Sequence, residues 1–368
     1  MKPTRIFIDG PNMAHGLRHS YLKELRDEEG FPTGVLFGTM HHLDKLMAHF
    51  DPDEIAVVWE DTDVPSWRHA VYKGYKADRK AAIKQYTPEE EDDHWDFVNI
   101  QLVDVKKAFT RMGIPQITVP GLEADDVLGA LVAERDRDDC NYVIVSTDKD
   151  MLQLCKWYRC RVFNPREDHV YYQSEKGYLR YSKTKGIVAP SPNTWLIWRA
   201  IVGDKSDSID GIYGVGPGTV AKLYGMERWN REPAWEYVTR ATLTGKRGTA
   251  IEEGQALIQR NLDLMDLCGY AAIRRMPKEE KYAQARNFLH VCLGLAPNKT
   301  KRPRFEDWPL FLREAKKDPN PMLKFYRRRG FDFAYDIRTW RAWVDRYRVL
   351  YRRRLEALCN NGAFLVPE

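Results

Sequence analysis

Four short runs of apolar and β-branched residues, Arg5–Ile8, Ile55–Trp59, Gln116–Val119 and Tyr142–Ser146, carry no polar alternation. A strand with one wet face alternates polar and apolar side chains, so these runs read as strands buried on both faces, as in a parallel sheet. Between them the period changes to that of helices. Residues 33–50 space Val35, Leu36, Met40, Leu43, Leu46 and Met47 for one helical face. Residues 95–112 do the same with Trp95, Val98, Leu102, Val105 and Phe109, and 125–135 with Val127, Leu128, Leu131 and Val132. Strands that alternate with helices predict an α/β, doubly wound, mostly parallel sheet over residues 1–190. Pro190-Ser-Pro192 marks a break. Residues 191–298 read as a helical domain, and after the Pro297–Pro303 break residues 299–368 read as a basic helical extension with a long helix over about 336–358.

Charge is unevenly placed along the 368 residues. Acids concentrate in 50–63, 89–96, 123–150 and 204–210, whereas 299–356 carries an excess of about ten positive charges. An acidic centre with a basic end suits a protein that binds cations centrally and a polyanion elsewhere. The six cysteines form no Cys-x-x-Cys pair and none sits with a histidine at zinc spacing, which predicts buried thiols in a reducing compartment. No apolar run reaches membrane-spanning length and no leader pattern opens the chain, so a cytoplasmic protein is expected, without a membrane partner.

The acids fall at particular places. Asp9 ends the first apolar run, Glu60 and Asp61 follow the second, Glu123, Asp125 and Asp126 follow the third, and Asp148 and Asp150 follow the fourth. Ligands of open parallel sheets bind outside the carboxyl ends of the strands, so four strands deliver carboxylates to one rim. Singly, each has a bland alternative: a turn at Asp9-Gly10, first-turn acids at Glu123-Ala-Asp-Asp126, a helix cap at Asp148. Together, that many like charges repel unless a cation joins them. An all-oxygen donor set points to Mg2+ or Mn2+ rather than zinc. Two such ions about 4 Å apart can activate a water and stabilise the leaving oxygen of a phosphodiester.

Six strings carry a resemblance to the 5′ nuclease or flap endonuclease family, which includes the 5′ nuclease domain of bacterial DNA polymerase I and bacteriophage 5′–3′ exonucleases. They are Phe7-Ile-Asp9-Gly-Pro-Asn12, Asp61-Thr-Asp-Val-Pro-Ser-Trp-Arg68-His69, Tyr75-Lys76-Ala-Asp-Arg79, Gly121-Leu-Glu123-Ala-Asp125-Asp126, Ser146-Thr-Asp148-Lys-Asp150 and Gly203-Asp204-Lys-Ser-Asp207-Ser-Ile-Asp-Gly211. They occur in family order over residues 6 to about 225, roughly 60% of the chain. The resemblance implies a PIN-like fold with a helical arch. It also implies a first metal site of Asp9, Asp61, Glu123, Asp125 and Asp148, with Asp150, Asp204 and Asp207 extending toward a second. Asp126 is expected to help one or both. Lys76 and Arg79 would stand at the base of the arch as catalytic cations, with Lys73 and Arg68 on the nucleic acid and Tyr75 stacked on a terminal base.

Ile209-Asp-Gly-Ile212-Tyr-Gly214-Val215-Gly216-Pro-Gly218-Thr-Val-Ala221-Lys222 fits a helix–hairpin–helix. In that reading Ile209 and Ile212 close a short helix, and Gly214, Gly216 and Gly218 let backbone N–H groups approach a phosphate, aided by Lys222. The resemblance adds a potassium ion on the carbonyls of Ile212 and Val215. The expected protein is a monomeric 5′–3′ exonuclease or flap endonuclease. Its substrates would be DNA with 5′ ends, flaps or branches, or RNA–DNA hybrid, in replication or recombination, with a bacteriophage as the setting. A PIN-type ribonuclease and a non-catalytic nucleic-acid-binding protein are the alternatives. Arg327–Arg329 and Arg352–Arg354 in the extension read either as solvated helix faces or as extra nucleic-acid contacts.

Overall fold

The structure, a computed structural model, describes residues 2–18, 25–27, 29–78, 99–110, 114–133, 140–173, 191–223, 245–293, 295 and 312–313. The four expected strands form as β1 (Thr4–Asp9), β2 (Glu54–Trp59), β3 (Gln116–Thr118) and β4 (Asn141–Val145). Two further strands, β5 (Cys160–Asn164) and β6 (His169–Tyr171), extend the sheet past β4. A short antiparallel pair, β7 (Gly203–Asp204) and β8 (Ile209–Asp210), stands apart from it. Leu312–Arg313 forms β9. The main sheet has the order β6-β5-β4-β1-β2-β3-β9. β1 pairs in parallel with β2 and β4, and β2 with β3 and β4 with β5 do likewise, so the centre is parallel and only the edges β6 and β9 are antiparallel.

The absence of polar alternation has the cause inferred from the sequence: both faces of the sheet are covered. Ile6 and Ile8 point with Ile55, Val57, Val143 and Val145 into a core built with α1 (Gly10–Arg18) and α2 (Gly34–Phe50). Phe7, Ala56, Val58 and Ile144 point the other way. There they meet Val127, Leu128 and Leu131 of α4 (Ala124–Val132), which comes after the short α3 (Trp67–Val71) and the helical residues 99–110 in the chain.

After residue 190 the chain continues with α5 (Pro192–Val202), α6 (Pro217–Leu223), α7 (Lys246–Glu253), α8 (Gln255–Met265), α9 (Tyr270–Arg275) and α10 (Ala283–Cys292). Ser191 caps α5 by accepting from Thr194 N, and Pro192 fits its first turn, so the proline pair starts a helix. The expected division at 190 and 298 does not match the cores. Ile197, Ile201, Ile212, Val215, Val220, Ile251 and Ile258 make a separate small core, but Leu267, Ala272, Tyr282, Phe288 and Leu289 belong to the core of the sheet. The sheet face carrying α4 needs a second layer, and residues 267–292 supply it. Gly129 permits the approach: a Cβ there would stand 1.7 Å from the carbonyl oxygen of Leu267. β9 falls inside the stretch expected to be a separate extension and instead joins the sheet beside β3. The remainder of 299–368, with Arg327–Arg329, Arg352–Arg354 and the helix expected over 336–358, lies outside the described residues, as does 79–98, where the arch is expected.

Candidate active site

β1, β2 and β4 run parallel, so the residues that follow them emerge at one rim. Asp9 does not lie in a loose turn, because the chain passes from β1 straight into α1. Its Oδ1 accepts from Asn12 N at 3.1 Å and its Oδ2 from the Ser146 hydroxyl at 2.9 Å. Burial, helped by the nearby charges of Asp148 and Glu60, lifts its carboxyl to about 7 despite those two bonds. Asn12 accepts from Thr147 N and Oγ1, which locks the loop after β4 against the start of α1. Asp148 caps the 3-10 helix Lys149–Lys156 by accepting from Asp150 N at 2.9 Å, so its bland reading holds alongside its place at the rim. Asp61 accepts from Val64 N at 3.0 Å and shapes the loop after β2.

The start of α4 is organised around a cation. Arg68 is only 1% exposed and reaches Asp126 with two bonds, Nη1 to Oδ2 at 2.7 Å and Nη2 to Oδ1 at 2.8 Å. The same Nη1 lies 3.2 Å from Glu123 and 3.4 Å from Asp125, and Nε donates to the carbonyl of Leu264 in α8 at 2.6 Å. Asp126 is fully buried and also accepts from Trp67 Nε1 and Glu123 N. Both of its oxygens are therefore engaged within the protein, as are both oxygens of Asp9, Glu123 and Asp204. Arg68 is likewise withdrawn from solvent, which corrects its expected role on nucleic acid. Tyr75 is corrected too. It is 2% exposed and donates to Glu123 Oε2 at 2.8 Å, so its ring has no free face for a base.

Lys76 stands at this end of the rim, with Nζ 3.0 Å from Glu123 Oε1. Burial opposes the Glu123 charge, yet Arg68 and Lys76 hold that carboxyl down at about 2. Asp125 goes the other way: burial raises it, Arg68 offsets that only in part, and Asp126 and Glu123 add to the rise. Lys73 is exposed, and Arg79 lies outside the described residues.

The acids from beyond residue 190 also reach the rim. Lys76 N donates to the carbonyl of Asp207 at 2.8 Å, and Asp78 N donates to Ser208 Oγ. Arg199, on the last turn of α5, donates from Nε to Asp150 Oδ1 at 2.7 Å and pairs through Nη2 with Asp204 Oδ2. Burial raises Asp150 to about 6 against the pull of Arg199. Asp204 stays low, because bonds from Ser206 and Arg199 outweigh its burial. Arg199 is the site residue that the sequence reading missed. Its signal was a lone arginine in the otherwise apolar run Trp195-Leu-Ile-Trp-Arg199-Ala-Ile-Val202.

Among the described residues no three carboxylate, imidazole or thiolate groups close into a single coordination shell. Lys76, Arg68 and Arg199 stand among the acids instead. The donors nonetheless fit a hard divalent cation. They are all carboxylate oxygens, and Asp9, with its carboxyl raised and other acids beside it, is a group whose charge a cation would settle.

The hairpin differs from expectation. Ile209 lies in β8, paired with Asp204, so the segment before the hairpin is a β-pair with a 3-10 turn rather than a helix. The reversal comes from Ser208, whose φ of 54° places it in the left-handed region. Val215 N then donates to the Ile212 carbonyl at 3.1 Å, closing a turn whose third residue, Gly214, has φ of +74°. Such a turn requires glycine there. Ile212 and Val215 are buried and anchor the turn, while the tip is open: a Cβ at Gly214, Gly216 or Gly218 would meet no atom within 4 Å. The side chains of Ala221 and Lys222 in α6 lie outside what the structure describes.

A mostly parallel sheet covered on both faces, with carboxylates from successive strand ends gathered around Arg68, Lys76 and Arg199, defines an α/β protein with an acidic rim at the carboxyl ends of its strands. The model of the 5′-3′ exonuclease, N-terminal resolvase-like domain matches residues 4–182. The chain is 32% identical over 236 residues to a 5′-3′ exonuclease of Aquifex aeolicus (strain VF5), covering 62% of this chain and 74% of that one. It is 31% identical over 233 residues to the thermostable DNA polymerase I of Thermus aquaticus, covering 61% of this chain and 24% of that protein. The chain therefore spans about a quarter of the polymerase I relatives it matches. The fold is similar to that of bacteriophage T5 5′-exonuclease with bound zinc, at a TM-score of 0.59 and 19% identity over 79% of this chain and 98% of that one. It is similar also to a T5 flap endonuclease in a pseudo-enzyme–product complex with DNA and metal ions, at 0.59 and 18% over the same shares. The chain belongs to the 5′-3′ exonuclease family.

Proposed function

We propose that this chain is a divalent-metal-dependent 5′ nuclease that hydrolyses phosphodiester bonds near the 5′ ends of DNA, including flaps and branches, and of RNA in hybrid with DNA. The observation that carries this reading is the meeting at one rim of acids from successive strand ends with Asp204 and Asp207 from beyond the sheet, and with Lys76 among them. Asp9, Asp61, Glu123, Asp125 and Asp148 would hold a first cation, and Asp150, Asp204 and Asp207 a second. Mg2+ or Mn2+ bound there would supply Lewis-acid polarisation of the phosphodiester and a water of lowered pKa.

The chain's own residues do the rest. The Ser146 and Asn12 bonds orient Asp9, and Tyr75 with Arg68 orients Glu123. Lys76, 20% exposed and kept charged by Glu123 in spite of its burial, stabilises negative charge that develops on the phosphate. Arg79 is assigned the same task. The open hairpin tip at Gly214, Gly216 and Gly218, with Lys222, binds duplex backbone without regard to sequence, and the carbonyls of Ile212 and Val215 would take a potassium ion. Lys73 adds a phosphate contact.

The test offers the protein 5′-flap DNA, blunt duplex, single-stranded DNA, RNA–DNA hybrid and RNA, with Mg2+, with Mn2+ and with EDTA. Cleavage near 5′ ends that leaves 5′-phosphates and disappears in EDTA is expected. No metal-dependent cleavage of any of these substrates would reject the reading.

A further inference from the structure

Arg199 ties together two acids that arrive from different parts of the chain. Asp150 follows β4, Asp204 lies in β7, and one guanidinium joins both, Nε to Asp150 Oδ1 at 2.7 Å and Nη2 to Asp204 Oδ2. The other oxygen of Asp204 accepts from Ser206 N at 2.9 Å and from its hydroxyl at 2.6 Å. The three side chains are 23%, 14% and 12% exposed, so the group is partly sheltered yet reachable from solvent. Asp148 adds a further negative charge within range. Two carboxylates and one guanidinium leave the group with a net charge of −1, before Asp148 is counted.

We propose that Arg199 is a resident counter-ion at the second cation site, so that loading a divalent cation on Asp150 and Asp204 requires the guanidinium to release at least one carboxylate oxygen. This rests on the reading above that these two acids serve a cation. A guanidinium fork and a divalent cation compete for the same oxygens, and the guanidinium, being part of the chain, competes at every cation concentration. Arg199 is thus a positioning residue. It occupies oxygens of Asp150 and Asp204 in the absence of metal and so sets the cation concentration at which the second site fills.

Isothermal titration of the full chain with Mn2+, without DNA, reads this directly. In Arg199→Met the weaker binding event is expected to tighten by about tenfold while the tighter event stays unchanged. Arg199→Lys, which keeps the charge and loses the fork, should fall between the two proteins. An unchanged weak event in Arg199→Met overturns the proposal. So does a weakened one, which would show that the guanidinium preorganises the acids for metal. A second measurement is read on the wild type: its Arg199 Nε–H resonance, identified by its loss in Arg199→Lys, should shift with the second equivalent of Mg2+. A resonance unmoved through saturation overturns the proposal independently. Two binding events of unchanged affinity reject only the role of Arg199, whereas absence of both events in wild type, together with absence of cleavage, rejects the active-site reading itself.

Discussion

The two ends of the acidic rim have the same residue types and opposite electrostatics. At the start of α4, Glu123, Asp125 and Asp126 gather around Arg68, which is buried and bonded to all three. At the end of β1, Asp9 is just as buried but is surrounded by Ser146, Asn12 and the charges of Asp148 and Glu60. The protein sets two cations of its own, Arg68 and Lys76, in the first cluster. The second is left wanting a cation, and burial has raised its carboxyl to about 7. Carboxylates brought together by a fold need not all be equally open to a cation; Asp126, fully buried with both oxygens on Arg68, is the one most deeply committed to the scaffold.

The largest expected effect would break the satisfied cluster. Arg68→Met keeps much of the side-chain volume and removes the charge, leaving Asp126 fully buried with no counter-ion. Breaking such a pair costs about 3–5 kcal/mol. Denaturant unfolding in EDTA should show a loss of that size. A loss below about 1 kcal/mol would mean that Arg68 is not the neutralising group.

The unsatisfied cluster should respond in the opposite sense. Asp9→Asn is expected to lower cleavage by on the order of a thousandfold, about 4 kcal/mol of barrier. It should not lower stability in EDTA. The folded-state pKa of Asp9 lies above its ordinary value, so the native state holds the proton more tightly than the unfolded one, and ionised Asp9 destabilises the fold as pH rises from about 4 toward 7. Asparagine removes that burden, and unfolding at pH 8 without metal should occur at equal or higher denaturant than in wild type. A destabilised Asp9→Asn that keeps full activity would invert the assignment of the two clusters.

Much of this was legible in the sequence, for identifiable reasons. The runs at Arg5–Ile8, Ile55–Trp59 and Tyr142–Ser146 lack alternation because both faces of the sheet are buried, so the parallel centre could be read directly. β5 was not read, since Arg161 interrupts it, and β6 is three residues long. The placement of acids after strands was visible as spacing. Their separation into satisfied and unsatisfied sets was not, because it depends on Arg68 and Arg199, cations that meet their partners 58 and 49 residues away in the chain. Nor could apolar periodicity show that residues 267–292 would close the core of the sheet rather than that of α5 and α8.

Tyr75 sharpens the comparison most finely, because two roles predict different outcomes for the loss of one oxygen atom. A tyrosine that stacks on a terminal base does so with its ring, and Tyr75→Phe would then leave stability and cleavage unchanged. Here the ring is buried against Ile209, Leu264 and Met265, and the hydroxyl donates to Glu123 Oε2 at 2.8 Å. Phenylalanine preserves that packing and removes the donor from a charged, buried acceptor, a loss of about 1.5–3 kcal/mol. Arg68 and Lys76 remain on Glu123, so the lower end of that range is expected in denaturant unfolding. Glu123 also loses one of the bonds that orient it, so cleavage should fall several-fold at saturating DNA, with little change in the apparent affinity for a 5′-flap substrate. The reverse pattern, weakened DNA affinity at unchanged stability, would return Tyr75 to the nucleic acid and show that the satisfied cluster opens when substrate binds.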